Sequence, residues 1–135
     1  MAFTEWNAEY SVKIKLFDDQ HQGLFKLLDS LYNALHMGKG KSILGNIIDE
    51  LELYTITHFR DEEEYLQQHN YPKFSSHIAE HKIFTDKIVH FRSELELQNV
   101  GLPIAVATFL RDWLTIHIKI NDKEYSQFLL EKGIL

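Results

Sequence analysis

The sequence predicts an all-α protein, an antiparallel up-down-up-down four-helix bundle with a short C-terminal helix. Three observations favour this fold: glycine and proline divide the chain into four long segments, each segment repeats apolar residues at helical spacing, and none alternates like a strand for long. We expect one domain over residues 1–135, with an N-terminal arm over about 1–17, the bundle over about 18–120 and the C-terminal helix over about 121–132.

Glycine and proline mark the ends of the predicted helices. Gly38 and Gly40 follow the first segment, Pro72 follows the second, and Gly101 with Pro103 separates the third from the fourth. Proline cannot continue a helix through its interior, and glycine favours helix ends. The links between segments are only a few residues long, so consecutive helices are expected to pack as antiparallel neighbours.

Apolar residues recur at steps of three and four residues in each segment, which is the spacing that lines one face of a helix. Continuing each stripe along its helix reaches a histidine in all four segments. In chain order the stripes are His21, Leu24, Leu28, Leu31 and Leu35; Leu44, Ile48, Leu51, Thr55, His58, Glu62 and Tyr65; Phe74, His77, His81, Phe84, Ile88 and Phe91; and Val106, Leu110, Trp113 and His117.

The polar members of these stripes are predicted to meet at one end of the bundle. They lie at the beginning of the first and third helices and at the end of the second and fourth, which antiparallel packing brings to the same depth. Residues four apart on a helix are separated by about 400°, so His58 with Glu62, and His77 with His81, can each face one centre.

A cluster of buried histidines and carboxylates indicates a metal site. A single histidine on an apolar face is usually a hydrogen-bonded core residue. When several imidazoles and carboxylates converge, their burial costs a large solvation free energy unless a cation takes the place of the lost water. A metal-free hydrogen-bonded cluster is the alternative, and it would be poorly satisfied. The chain has no cysteine, so the ligands are nitrogen and oxygen, which suit iron, manganese, copper or zinc. Seven ligands exceed the needs of one ion and favour two.

Asp122 needs a separate explanation because it follows His117 by five residues. Five residues rotate an uninterrupted α-helix by about 500°, so the two side chains could not share a face. Asn121, followed three residues later by Glu124, resembles an N-cap with its capping-box partner. We therefore expect the fourth helix to break and a short new helix to begin at Asp122, swinging its carboxylate back to the cluster.

Charge and composition argue against several classes of partner. The formal net charge is −6 and no basic patch alternates with aromatic residues, so we expect no nucleic acid partner. No stretch approaches eighteen apolar residues, and no basic segment leads into an apolar run at the N-terminus, so neither membrane insertion nor secretion is expected. The absence of cysteine fits a reducing compartment, and we expect a cytoplasmic location.

Taken together, these residues and their order along the chain resemble the hemerythrin family, specifically its single-domain bacterial members. Leu66 departs from the pattern, because the family often has methionine there. Trp6 lies where the family places an N-terminal tryptophan. The matching residues are Asp18-x-Gln20-His21, His58-Phe59-x-x-Glu62-Glu63, His77-x-x-x-His81, and Trp113-Leu114-x-x-His117 with Asp122.

The resemblance implies reversible dioxygen binding at two iron ions (Fe2+/Fe3+) joined by an oxo or hydroxo bridge. It implies a carrier, store or scavenger of oxygen and not an enzyme, with dioxygen and an oxygen-accepting protein as partners. Trp113 and Leu114 would pack around the oxygen position. The implied metal ligands are His77, His81 and His117 for one iron, His21 and His58 for the other, and Glu62 and Asp122 as bridges.

Other functions are compatible with these residues. An oxygen or redox sensor acting through a partner, or an iron-handling protein, would use the same centre. A ferritin-like di-iron oxidase requires Glu-x-x-His, which does not occur in this sequence. The run from His77 to His81 also fits the inverted zinc protease motif His-x-x-Glu-His, but this short motif is weak and Glu80 is expected to be a solvated surface residue. Surface or helix-end positions are expected for His36, His69 and His90.

Overall fold

The computed structural model describes residues 5–135, and the secondary structure of this part of the chain is helical. The prediction of an all-α four-helix bundle with a short C-terminal helix is confirmed. None of the helices within residues 5–135 is both long and apolar enough to cross a bilayer. After a short 3-10 turn at Ala8–Tyr10, the helices are α1 (Lys15–His36), α2 (Gly40–Gln68), α3 (Phe74–Glu96), α4 (Leu102–Asp112), a π-helical segment (Trp113–Asp122) and α5 (Lys123–Glu131).

Glycine suits two positions in the link between α1 and α2. Gly38 has a φ of +70°, a left-handed conformation that glycine adopts without steric cost. A Cβ atom on Gly40 would lie 2.9 Å from Cδ2 of Leu35 and 3.2 Å from Cβ of Pro103, near the start of α4. The glycines therefore allow a tight antiparallel turn and a close approach of α4.

The four helices form a closed bundle around an apolar core. Consecutive helices pack against each other, and α1 also packs against α4. The predicted stripes supply most of the buried leucine, isoleucine and valine side chains of this core, and Leu114 and Ile118 add to it from outside the stripes. The core excludes water from the bundle interior. Its residues with 1% exposure or less are Leu24, Leu28, Leu31, Leu44, Ile48, Leu51, Phe84, Ile88, Val106, Leu110, Leu114 and Ile118.

A second apolar cluster closes the end of the bundle where the polar stripe residues lie. It joins the N-terminal arm, α1, α2 and α5 through Val12, Phe17, Leu66, Tyr71, Tyr125 and Leu129. Ser126 donates a hydrogen bond to the backbone carbonyl of Val12 at 2.9 Å, and the carboxylate of Asp18 accepts from the backbone N–H of Val12 at 2.8 Å. The arm and α5 are thereby fixed over this end of the bundle.

The expected break before Asp122 is wrong. Asp122 has helical backbone angles (φ −68°, ψ −31°), and the chain passes from α4 through the π-helical segment into α5 without leaving a helical conformation. In a π-helix the backbone hydrogen bond joins residues five apart, so such residues lie about one turn apart. Asn121 does not cap a new helix; its side-chain amide donates to Glu80 at 2.8 Å. A wider helix, and not a new one, turns Asp122 towards His117.

Candidate metal centre

Seven polar side chains come together inside the end of the bundle covered by the second apolar cluster. Each of them is exposed by 4% or less, although histidine, aspartate and glutamate usually remain in contact with water. They come from α1, α2, α3 and the π-helical segment. The seven are the residues singled out from the sequence: His21, His58, Glu62, His77, His81, His117 and Asp122.

Three histidines and two carboxylates form one part of this cluster, which we call the three-histidine position (His77, His81 and His117). Their potential ligand atoms, with those of Glu62 and Asp122, lie within 4.8 Å of one another. Oε1 of Glu62 lies 2.7 Å from Nε2 of His77 and 2.9 Å from Nε2 of His81. Oδ1 of Asp122 lies 3.0 Å from Nε2 of both His77 and His117.

The remaining two histidines form the two-histidine position (His21 and His58). Their Nε2 atoms lie 3.1 Å apart. Oε2 of Glu62 lies 3.2 Å from Nε2 of His58, and Oδ2 of Asp122 lies 3.2 Å from Nε2 of His21. Each carboxylate thus presents one oxygen to the three-histidine position and the other oxygen to the two-histidine position.

Several inward-facing atoms of the cluster lack hydrogen bonds. Within residues 5–135, Nε2 of His81, Nε2 of His117 and both carboxylate oxygens of Asp122 are buried without a hydrogen-bond partner. Buried polar atoms are nearly always hydrogen-bonded, so atoms left unpaired at such short separations need another partner. Cations between the nitrogen and oxygen atoms would satisfy them, and the residues therefore fit a metal centre.

The electrostatics of the cluster also call for positive charge. Burial opposes ionisation of Glu62 and Asp122, and the two carboxylates repel each other, yet the surrounding histidines lower the pKa of both carboxyls. Burial likewise opposes protonation of His21 and His77, but the neighbouring carboxylates raise their pKa values to about 9 and about 10. In the metal-free protein, protonation of these rings would supply the positive charge that bound metal cations would otherwise supply.

The outward-facing nitrogens of two ligand candidates donate to carboxylates at the rim of the cluster. Nδ1 of His81 donates to Glu63 at 2.8 Å, and Nδ1 of His117 donates to Glu80 at 2.6 Å. The prediction that Glu80 is merely a solvated surface residue is wrong, because its hydrogen bond to His117 lowers its carboxyl pKa. Glu80 was missed because its contact crosses from α3 to the π-helical segment, which the spacing along α3 does not reveal.

Aromatic rings hold three of the imidazoles face to face. Phe59 stacks on His81 with centroids 3.9 Å apart, Trp113 stacks on His117 at 3.9 Å, and Tyr54 stacks on His58 at 4.8 Å. Leu114, which follows Trp113, is fully buried in the main core. These contacts fix the ring planes and place apolar surface around the cluster.

Tyr125 is a further contact that the sequence did not indicate. Its hydroxyl donates to Oε2 of Glu62 at 2.9 Å, while its ring is fully buried in the second apolar cluster. The contact joins α5 to α2 and depends on the path of the chain after the π-helical segment. Tyr125 thus holds the carboxylate of Glu62, which faces both positions, by a hydrogen bond from the end of the bundle that the second apolar cluster closes.

The other three histidines lie outside the cluster. His36 and His90 are exposed, and His69 is half-buried. Each has a local contact: His36 with the ring of Tyr32, His69 with the ring of Tyr65, and His90 with the carboxylate of Glu94. Neither of the two groups within residues 5–135 that could hold a metal ion includes any of the three.

The fold and the site define a four-helix-bundle protein with a buried cation-binding cluster. The family model of the hemerythrin HHE cation binding domain matches residues 12–129. The chain belongs to the hemerythrin family, as the order of the motifs along its sequence predicted.

Named relatives and solved structures match over most of their lengths. A bacteriohemerythrin from Methylococcus capsulatus is 30% identical over 96% of this chain and 98% of its own length. One from Stenotrophomonas maltophilia is 28% identical over 93% of this chain and 81% of its own length. A hemerythrin subunit from Sipunculus nudus is 29% identical over 92% of both chains. A crystal structure of a leucine-to-alanine mutant of hemerythrin superimposes with a TM-score of 0.83 and 29% identity, covering 94% of this chain and 97% of that chain.

Proposed function

We propose that this protein binds dioxygen reversibly at two iron ions held by the seven buried residues. One observation carries the proposal: Glu62 and Asp122 each direct one oxygen towards the three-histidine position and the other towards the two-histidine position. Two cations sharing both carboxylates fit this arrangement. The similarity to bacteriohemerythrins and to a hemerythrin subunit supports iron as the metal and dioxygen as the ligand.

The two positions offer different numbers of protein ligands. If Glu62 and Asp122 were shared by both cations, the three-histidine position would offer five protein ligands and the two-histidine position four. A position that keeps an open site is the one able to accept a small ligand. We therefore assign dioxygen binding to the two-histidine position, where His21 and His58 leave more of the coordination sphere free.

Two bound iron ions would supply the electrons that reversible dioxygen binding requires. The chain contributes a donor set in which five imidazoles, neutral when they ligate, outnumber two carboxylates, which limits the negative charge that stabilises ferric iron. The proposed task of Trp113 and Leu114 is to exclude water, since both are at most 8% exposed. Tyr54 extends this apolar wall along the His58 ring.

The same arrangement favours a binding protein over an oxidising enzyme. A centre richer in carboxylates would stabilise higher oxidation states of iron and promote oxidation of a substrate. We propose a carrier, store or scavenger of oxygen in the cytoplasm, with an oxygen-accepting protein as its physiological partner.

The proposal is tested by reducing the iron-loaded protein without oxygen and then exposing it to air. Metal analysis should give two irons per chain, and absorption bands in the ultraviolet and visible range should appear with oxygen and disappear when oxygen is removed. A count of one metal per chain, or purification with zinc, would contradict the proposal. Irreversible bleaching accompanied by turnover of a substrate would indicate an oxidase instead.

A further inference from the structure

The outer hydrogen bonds of the histidine cluster differ in the charge of their acceptors. At the three-histidine position, His81 and His117 donate to the carboxylates of Glu63 and Glu80. At the two-histidine position, Nδ1 of His58 faces the neutral side-chain amide of Gln20 at 2.5 Å. Within residues 5–135, Nδ1 of His21 has no hydrogen-bond partner. The histidines of the two positions therefore differ in the negative charge that accepts their outer N–H groups.

Asp61 determines which end of the Gln20 amide faces His58. The carboxylate of Asp61 can only accept, and it lies 3.0 Å from Nε2 of Gln20, so the amide nitrogen donates to Asp61. The amide oxygen must then face Nδ1 of His58, which in turn must carry the proton. This leaves the lone pair of His58 Nε2 directed into the cluster, next to Glu62 at 3.2 Å.

The difference in charge affects how strongly each histidine donates to a metal. A carboxylate that accepts the outer N–H of a ligating imidazole raises the basicity of its inner nitrogen, whereas a neutral carbonyl does so less. The carboxylates of these contacts all lie at the rim, with the side chains of Glu63, Glu80 and Asp61 exposed by 30%, 35% and 29%. Solvent screening is therefore similar for the three groups, and the charge of the direct acceptor is the main difference.

We propose that Gln20 is a positioning residue that fixes the ring and tautomer of His58 and, because it is uncharged, makes the two-histidine position the weaker donor site. This inference deepens the proposed function, on which it rests. The metal bound by His21 and His58 is the one held less tightly and the one more readily kept in its reduced state. The coordination site left open for dioxygen thus lies at the two-histidine position, where the histidines are the weaker donors.

The test exchanges the charges of Gln20 and Asp61. In the double variant Gln20→Glu/Asp61→Asn, the new amide at position 61 can donate to the new carboxylate at position 20, which still accepts from His58. One carboxylate is lost and one is gained, so the formal net charge of −6 is unchanged. The hydrogen bonds from position 61 to position 20 and from position 20 to His58 keep their geometry, while the acceptor that faces His58 changes from neutral to negative.

Zinc binding to the metal-free protein gives a readout independent of oxygen chemistry. Titration calorimetry should show a tighter and a weaker step, and nitrogen NMR of the histidine rings should assign the weaker step to His21 and His58. We expect the double variant to tighten the weaker step by about tenfold, and Gln20→Ala to weaken it by about 10- to 100-fold with mixed tautomers of His58. The tighter step should change little in both variants.

Variants at the other position provide the matched control. Glu63→Gln and Glu80→Gln replace carboxylate acceptors by amides of the same shape, so they should weaken the tighter zinc step and spare the weaker one. Equal affinity for the weaker step in the wild-type protein and the double variant would overturn the inference, whatever the iron-loaded protein does with oxygen. If the zinc results hold and the iron-loaded protein fails to bind oxygen reversibly, the proposed function is wrong and the role of Gln20 stands.

Discussion

The two ends of the bundle are equally buried but differ in chemistry. At one end Leu31, Leu51 and Ile88 have 0–1% exposure, and at the other Glu62 and Asp122 have 0%. Burial of the apolar side chains stabilises the fold, whereas burial of the carboxylates costs solvation that only opposite charge restores. When no cation is present, the opposite charge beside these carboxylates comes from protonated histidines such as His21 and His77. The second apolar cluster packs against this polar end, with Phe17 beside His58 and Tyr125 beside His77.

The largest effect is expected from removing a histidine that contacts both carboxylates. His77→Ala should abolish stable metal binding at the three-histidine position and weaken the other position, because Glu62 and Asp122 both lose a neighbour. Metal analysis after desalting should show less than one metal per chain. His90→Ala is the control, since this exposed ring lies outside both groups that could hold a metal ion, and its metal content should equal that of the wild-type protein. Full metal content in the His77 variant would contradict the assigned ligands.

A substitution in the apolar end should separate stability from metal content. Leu51 is fully buried, so Leu51→Ala is expected to lower the free energy of unfolding by about 2–5 kcal/mol through lost burial and a cavity. Denaturant titration measures this loss, and the metal count per folded chain should stay unchanged. Leu53 is 53% exposed on the same helix, and Leu53→Ala should shift the free energy by no more than about 0.5 kcal/mol. Similar losses in both variants would show that the apolar end is not the stabilising region.

The metal-free protein should lose stability as the pH is raised. Folding raises the pKa of His21 to about 9 and of His77 to about 10, above the ordinary value of 6.5. A raised pKa in the folded state stabilises fully below pH 6.5, and this contribution is lost as the pH rises through 9 to 10. Thermal unfolding across this pH range measures the loss. In the metal-loaded protein, cations replace the protons, so the unfolding temperature should depend less on pH. An equal dependence on pH in the metal-free and metal-loaded proteins would contradict this explanation.

The smallest structural change with a functional consequence is expected at Leu114. Leu114→Ala should retain both metals, because no ligand changes, but should speed oxidation of the iron by admitting water next to the cluster. Absorption spectra recorded over time in air measure the rate. Leu110→Ala removes an equally buried leucine of the main core and serves as the control, with an unchanged oxidation rate. An unaltered rate in the Leu114 variant would show that its assigned role is wrong.

Much of the fold was predictable because each stripe is a local property of the chain. Spacing of three and four residues determines which side chains share a helix face, and the glycine and proline breaks determine where helices end. The convergence of His21, His58, His77 and His117 followed from antiparallel packing, which short links favour. The sequence alone therefore determined the helical bundle, the composition of the buried cluster and the end of the bundle at which it lies.

Only the tertiary structure decided how Asp122 reaches the cluster and which side chains support the histidines. An α-helix and a π-helix differ by one residue in hydrogen-bond register, and the choice between them depends on what Asp122 contacts once the helices have packed. Gln20, Glu63 and Glu80 reach their histidines across helix interfaces, so their contacts depend on how each helix is rotated against its neighbour. Such rotations follow from side-chain packing in three dimensions, which spacing along one helix does not encode.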